Sequence, residues 1–325
     1  MIIRRLVLLA ACVITFWGIA RGAADAQPYP KQLIRLILPY TAGSPNDVLA
    51  RLVMPRLSAR LGQTIVIENR PGGGTSIGVK AAMSAEPNGY TLLYSNSPVH
   101  FIAPLVSKTF TYDPLNDFVP IASIGTSSNL LVIAPSVPAQ TVQEFVAYAK
   151  ANPGRLNFGY GQGTLPHLIG EMFKAATGTD IAMIPYKGGA QAVTDMLGGQ
   201  IHMNFGTLAT LLPLIRDGRL RALAVTSTAR SPDLPEVPTL IESGYPSVTT
   251  MSYYGLFGPS GIAADVVNRL NSEVNESLKS PDLIASMAKV GFDPKGGSPQ
   301  DFTVLLEDEM RKWEPIVKAT GFQME

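Results

Sequence analysis

Short apolar runs alternate along this chain with longer stretches in which apolar residues recur at the helical spacing. Leu33-Ile34-Arg35-Leu36-Ile37-Leu38 reads as a strand. From Asn46 to Leu61 the apolar positions Val48, Leu49, Leu52, Val53, Leu57 and Leu61 share one helical face. Thr64 to Glu68 reads as the next strand. Ile77 to Ala85 reads as a helix that ends before Pro87-Asn88-Gly89, and Tyr90 to Tyr94 as a third strand. Strand, helix, strand, helix, strand in this order predicts parallel strands joined by helical crossovers.

The pattern then restarts. Leu130 to Ala134, Leu156 to Tyr160, Ile181 to Ile184, Ile201 to Phe205 and Arg221 to Val225 read as strands. Between them Thr141 to Asn152, Pro166 to Thr177 and Gly189 to Gly198 read as helices, the first opened by Thr141 with Glu144 placed for a capping box. Three more helices follow, over 264–280, 281–290 and 299–320. The predicted class is α/β with two domains. One lobe is discontinuous, 27–125 and 246–325, and the other is inserted in it at 126–245. There is no internal repeat and no low-complexity tract.

The first residues change the expected size and compartment. Arg4 and Arg5 precede an apolar run from Leu6 to Ala20, and Ala24-Asp25-Ala26 closes the segment. A charged start, an apolar centre and an A-x-A site form a secretory signal, so cleavage near Ala26 and a periplasmic location are expected. The run is short for a membrane span, which needs about 20 apolar residues; a retained anchor is the alternative. Cys12, the only cysteine, lies inside the run. Leu9-Ala10-Ala11-Cys12 also fits a lipoprotein box, although Val13 to Ala20 continue the apolar stretch beyond it. Without residues 1–26 the chain has no cysteine, hence no disulfide, thiol nucleophile or thiolate metal site. That segment carries Arg4, Arg5 and Arg21 against Asp25, so its removal takes the formal charge from +1 to about −1. No basic field remains for nucleic acid. Charged residues are 16% of the chain, with 26 prolines and 30 glycines, which predicts a loop-rich globular fold.

Two loops attract chemistry. Pro39 to Asp47 joins the first strand to the first helix, and Gly159 to His167 repeats that geometry in the second unit. Open α/β sheets bind ligands at the carboxyl ends of their strands, where helix starts present free N–H groups and a favourable dipole to an anion. The first loop is equally well read as an ordinary capped turn with Asn46 or Asp47 as N-cap. The second lacks the G-x-G-x-x-G spacing of a dinucleotide site. Gly74-Thr75-Ser76-Ile77-Gly78 fits the G-x-S-x-G pattern, but its serine follows a polar loop and not a buried strand, against a nucleophile elbow. The three histidines, His100, His167 and His202, stand in no ligand-spaced cluster, and the carboxylates form no evident acid/base pair. No catalytic residue, metal site or cofactor is expected.

Several segments, in order and spacing, resemble the Bug/TctC family of substrate-binding receptors from tripartite tricarboxylate transporters. They are Pro39 to Arg51, Glu68-Asn69-Arg70-Pro71-Gly72, Pro87 to Leu93, Ile184-Pro185-Tyr186-Lys187-Gly188 with Asp195 to Gln200, Arg230 to Thr239, and Tyr254 to Pro259. The resemblance covers essentially the whole chain after the signal. It implies two Rossmann-like lobes with a ligand cleft between them, a type II periplasmic binding protein that closes like a flytrap. It implies a small organic carboxylate held by backbone N–H groups of the paired loops, a monomer, and membrane permease subunits as partners.

Carried onto this sequence, the implied contacts are Tyr40, Thr41, Ala42, Gly43, Ser44 and Asp47 in the first loop. Tyr160, Gly161, Gln162, Gly163, Thr164 and His167 come from the second. Ser95, Asn96 and Ser97 follow the third strand, and Tyr186, Lys187 and Asp195 line the second lobe. Tyr160, Phe205, Tyr253 and Tyr254 are candidate walls for the far end of the ligand. The first loop departs from the family's usual Pro-Phe-Pro-x-Gly-Gly, with Tyr40, Thr41 and Ser44 at variant positions, which leaves the identity of the acid open. Two further readings stand beside a transport receptor. One is a secreted serine hydrolase using Ser76, the other a receptor that feeds a sensor kinase.

Overall fold

A computed structural model describes residues 29–97, 99–100, 103–106, 112–161, 164–186 and 188–320. The signal segment, Cys12, Gln162, Gly163 and Lys187 lie outside the described residues. The first unit is β1 (Ile34–Leu38), α1 (Pro45–Leu61), β2 (Ile65–Asn69), a 3-10 turn at Gly73–Thr75, α2 (Ser76–Met83) and β3 (Thr91–Asn96). A short α3 (Ala103–Val106) leads to β4 (Phe118–Ile133). The second unit comprises α4 (Val142–Ala151), β5 (Asn157–Gly161), α5 (Leu165–Thr177), β6 (Ala182–Tyr186), α6 (Gly189–Leu197), β7 (Met203–Thr207), α7 (Leu208–Arg216) and β8 (Arg221–Val225). A 3-10 turn at Pro246–Val248 precedes β9 (Met251–Pro259), and α8 (Ala264–Leu278), α9 (Pro281–Lys289), β10 (Asp293–Pro294) and α10 (Pro299–Thr320) finish the chain.

The predicted crossovers are present: β2, β1 and β3 are parallel, as are β6, β5 and β7. The sheet as a whole is mixed, in the order β2-β1-β3-β9-β4-β7-β5-β6. Two antiparallel strands, β4 and β9, stand between the parallel groups. Local pattern did not reveal β9, the first part of β4 or α7. Phe118 to Asn129 alternates poorly because it is buried on both faces, so it carries no period-2 signal.

One strand joins the two halves. From Phe118 to Ser128, β4 pairs with β9; from Asn129 to Ile133 it pairs with β7. The chain comes back alongside, where the Thr226 N–H donates to Asn129 O and the Thr250 N–H to Thr226 O. The crossing is lined by small hydroxyl side chains. Ser128 Oγ donates to Ser227 Oγ, Thr226 Oγ1 accepts from the Asn129 N–H and donates to Thr250 O, and Ser127 Oγ donates to Gly291 O.

Each face of the sheet has its own core. Ile34, Leu36 and Leu38 pack with Leu49, Val53 and Leu57 of α1 and Leu270 and Val274 of α8. Ile37 and Leu93 point the other way, into a cluster that continues through Phe257, Phe302 and Trp313 to Phe145, Phe158, Phe173 and Phe205 of the second half. The C-terminal α10 thus contributes to a core shared by both halves. Leu130, Val132, Met196 and Leu211 form the third cluster, on the opposite face of the second half. No helix among the described residues is long and apolar enough to cross a membrane.

The cap of α1 is Ser44, and not Asn46 or Asp47: its hydroxyl accepts the Asp47 N–H at 3.3 Å. Pro45 then takes the first helical position, where its missing N–H costs nothing. At α4, Thr141 accepts the Glu144 N–H, while the Glu144 carboxylate accepts from Gln140 N. This is the expected capping box displaced by one residue.

Candidate functional site

The carboxyl ends of the strands from both halves enclose a cavity of about 470 Å³. Besides the short α3, whose first residue Ala103 is in the lining, five helices begin at its wall. Pro45 and Asn46 open α1, Thr75 caps α2, Thr164 and Leu165 open α5, Gly189 and Ala190 open α6, and Thr207 precedes α7. In α2, α5, α6 and α7 no side chain caps the helix start. The first N–H groups of each helix have no intrahelical acceptor, so these starts present donors and the positive ends of helix dipoles to the cavity. No Lys, Arg, His, Asp or Glu lines it among the described residues.

On the first half, the lining side chains form a directed chain. The Tyr40 hydroxyl donates to Asn96 Oδ1 at 2.7 Å, and Asn96 Nδ2 donates to Asn46 Oδ1 at 3.0 Å. With its oxygen accepting, Asn46 turns its amide N–H groups outward at the start of α1. Burial, reinforced by Tyr254 and Tyr112, holds the Tyr40 hydroxyl well above its ordinary pKa, so it stays a donor. The far side is apolar and aromatic, with Val99, Val193, Leu211, Phe205 and Tyr254.

Thr75 is strained. Gly72, Gly73, Gly74 and Thr75 have successive positive φ values, and Thr75 at φ 87 is the one non-glycine among the described residues to do so. A β-branched residue there costs about 1–3 kcal/mol and is a mark of functional segments. Its hydroxyl is buried without a protein partner. Ser76 follows at the first position of α2, after the 3-10 turn, and does not line the cavity.

The structure brings five of the sequence-predicted contacts together at the cavity wall: Tyr40, Asn96, Gly161, Thr164 and Phe205. Tyr254 joins them, whereas Tyr253 does not. Thr41, Ala42 and Gly43 are exposed in the loop, and Ser44 caps α1. Asp47 is buried and holds that loop in shape. Its carboxylate accepts the Gly43 N–H, Arg51 Nε and Asn69 Nδ2, at 2.8–2.9 Å. Burial disfavours its charge, but those hydrogen bonds prevail and hold its pKa at about 2.

Ser95 is buried in β3, and Ser97 Oγ accepts the Tyr253 N–H. Tyr160 and His167 are buried against one another. Tyr186 donates to Asp195 at 2.7 Å, tying β6 to α6. None of these last six lines the cavity.

Sequence reasoning passed over Asn46, Thr75, Asn129, Gly189, Ala190, Asn204, Gly206, Thr207 and Ser252, all in the wall. A signal existed for some of them. Phe205-Gly206-Thr207 repeats the strand–glycine–helix pattern of the two recognised loops, and Gly188-Gly189-Ala190 follows β6 in the same way. Asn129 and Asn204 were visible only as polar interruptions of apolar strands, where Asn is disfavoured. Among the described residues no group of three or more His, Cys, Asp or Glu is placed to hold a metal ion.

Known proteins share this fold. The model of the family described as tripartite tricarboxylate transporter family receptor matches residues 49–322. Protein BugT of Bordetella pertussis is 34% identical over 322 residues, 98% of each chain. The solved structure of an R. palustris protein with adipate is 35% identical, covers 91% of this chain and 99% of that one, and superposes with a TM-score of 0.83. MatC from Rhodopseudomonas palustris with bound malate is 26% identical over 89% of this chain and 100% of that one, with a TM-score of 0.78. With its two α/β halves, its cleft of helix starts and a match over most of its length, the chain belongs to the tripartite tricarboxylate transporter receptor family.

Proposed function

We propose that this protein captures a small organic carboxylate between its two lobes and delivers it to the membrane subunits of a tripartite permease, with no chemistry of its own. The observation that carries this is the convergence of five helix starts on a cavity with no charged side chain among its described lining residues. Such a wall offers an anion fixed N–H donors and dipoles, and its hydroxyls have no histidine, carboxylate or lysine among the described lining residues to activate them. Adipate and malate in the two relatives support an organic acid as the ligand class.

In this reading the carboxylate sits between the Asn46 amide at α1 and the starts of α5 and α6, at Gly161, Thr164 and Gly189. Gln162 and Gly163 belong to the same loop. Tyr40 and Asn96 orient Asn46, and Phe205 and Tyr254 face the carbon skeleton. Asp47, Tyr160, His167, Tyr186 and Asp195 support the loops from behind. Residues 27–125 with 246–325 form one lobe and 126–245 the other, turning about β4 near Ser128 and about the return crossing at Thr226 and Thr250. Residues 1–26 direct export and are removed, which places the receptor in the periplasm.

Calorimetric titration of the purified protein with a panel of organic acids, malate and adipate included, tests the reading. At least one acid binds with a Kd of about 1 μM or better, worth about −8 kcal/mol. Scattering with that acid gives a smaller radius of gyration as the lobes close. Failure of every acid to bind, or an unchanged radius at saturation, rejects it. Mass analysis of protein recovered from the periplasm tests export, which predicts a chain starting at Gln27.

A further inference from the structure

A second cleft, of about 440 Å³, lies on the first half and shares no lining residue with the cavity between the halves. The two are set at opposite ends of α2. Thr75 caps that helix in the wall of the cavity, whereas Ala81 and, beyond the helix end, Ala85 and Glu86 line the cleft. The floor is one face of the sheet. Arg35 and Ile37 point to the opposite side from Leu36, which enters the core beneath α1, and Thr91 lies beside Arg35 in register on β3. Ile37 is buried with Val79 and Ala82 of α2, but α2 stops at Met83 and leaves the Arg35 side chain 43% exposed.

Two guanidiniums share one carboxylate in this cleft. Arg35 Nε and Nη2 donate to Glu68 Oε1 and Oε2 at 2.6 and 2.9 Å, and Arg70 Nε and Nη2 donate to Oε2 at 3.1 and 2.9 Å. Both arginines therefore spend the same edge on Glu68. The Nη1 group of each keeps two N–H donors with no acceptor among the described residues, and the Thr91 hydroxyl has no partner there either. The trio carries one uncompensated positive charge. Glu68 also fixes both long side chains in place, so an incoming anion meets donors that are already ordered. Glu86, the one acidic side chain among the described lining residues, is exposed and accepts from Asn88 Nδ2. An anion long enough to reach it would meet like charge, which favours a compact ligand.

We propose that this cleft is a second binding site, in which Arg35 and Arg70 hold a phosphate group, free or as the monoester of a small molecule. Guanidinium forks match phosphate oxygens in geometry as well as charge. A carboxylate brings two acceptor oxygens and a single charge. Phosphate brings at least three oxygens and up to two charges, enough for both Nη1 groups and the Thr91 hydroxyl together. The site does not depend on what the cavity between the halves binds, because no side chain is common to the two.

The arginine Nε–H resonances of isotope-labelled protein read the site directly, each assigned by its disappearance in Arg35→Lys or Arg70→Lys. Titration of the wild type with inorganic phosphate at neutral pH shifts both resonances along one binding curve, with a Kd of about 1 mM or tighter. Acetate shifts them at least about tenfold more weakly, as a single charge with fewer oxygens requires. A glycerol phosphate tells the sources apart: tighter binding than inorganic phosphate points to an ester, weaker binding to the free ion. In calorimetry, Arg35→Gln and Arg70→Gln each weaken phosphate binding at least about tenfold, with the affinity for any organic acid unchanged. The resonance titration needs no charge-removing variant, so it stands even where one fails to fold. Resonances that stay still while calorimetry detects phosphate put the ion elsewhere and overturn the proposal. Equal responses to phosphate and acetate, or no response to either, overturn it as well, and all of these leave the carboxylate receptor standing.

Discussion

The rings of Tyr160 and His167 lie face to face, centroids 3.9 Å apart and planes 18° from parallel, sealing the start of α5 against the end of β5. Burial pushes the His167 pKa down to about 4, although Glu171 Oε1 lies 3.9 Å from its Nε2. His100, packed against Phe257 with its ring tilted 32°, is pushed down to about 3 for the same reason. A histidine with a folded pKa below its unfolded value of about 6.5 stabilises the fold fully above that value and loses the contribution as pH falls toward the folded pKa.

Stability is therefore expected to be level above a pH of about 7 and to fall between about 6.5 and 5, before most carboxylates titrate. Each buried histidine adds a slope of up to about 1.4 kcal/mol per pH unit. Denaturant unfolding across this range measures it. His167→Phe keeps a stacking ring and makes the slope shallower; an identical slope in the variant would remove His167 as a contributor.

Thr75 stores strain in the cavity wall. Thr75→Gly releases a φ of 87 that a β-branched residue tolerates poorly, against the larger entropy glycine loses on folding. The net expectation is a gain of about 1 kcal/mol in stability together with weaker ligand binding, because the hydroxyl is gone. Thermal unfolding and titration on the same preparation check both parts. A variant less stable than the wild type shows that the turn is not strained.

Gly291, between α9 and β10, meets the first turn of α7. A Cβ there would fall 2.6 Å from Ala209 N and 2.8 Å from Ala209 Cα, both backbone. Gly291→Ala is expected to weaken ligand binding at least about tenfold, by holding α7 and the β7 end away from the cleft. Gly178→Ala is the control, with φ 62 and nothing within 4 Å of its Cβ. It shares the backbone cost and leaves the contact untouched. Equal losses of affinity in the two variants would count against the close approach.

Gly170 lets α5 lie flat on β5. An added Cβ would come 1.9 Å from Phe158 Cε1, in a ring packed against Tyr160 and Phe205. Alanine improves helix propensity by about 1 kcal/mol. Overpacking of this kind costs about 1–3 kcal/mol, so Gly170→Ala is expected to destabilise on balance. Urea unfolding gives the sign, and a Phe158→Leu partner substitution should recover part of the loss.

Most helices and the parallel strands were legible because their signals are local. The apolar face from Val48 to Leu61, the Thr141 cap and the glycines ending α1 and α5 each act within a few residues. The strand–glycine–helix loops were legible for the same reason, and with them the idea of an anion held by backbone donors. Two features misled. Asp47 and Tyr186 carry polar groups in the right loops, but those groups turn inward to Gly43, Arg51, Asn69 and Asp195. Whether a polar side chain faces a ligand or its own loop depends on neighbours that are distant in sequence.

Composition, periodicity and motif order alone pointed to an α/β protein with paired strand–loop–helix sites, a family resemblance and backbone donors expected to hold an anion. Tertiary structure alone decided which helix starts share one cavity, and that β4 passes from β9 to β7 at Ser128. The reason is the range of the forces. Capping and amphipathic periodicity are set within one or two turns, whereas the wall of a cleft is assembled from strands and helix starts of both halves that only long-range strand pairing brings together.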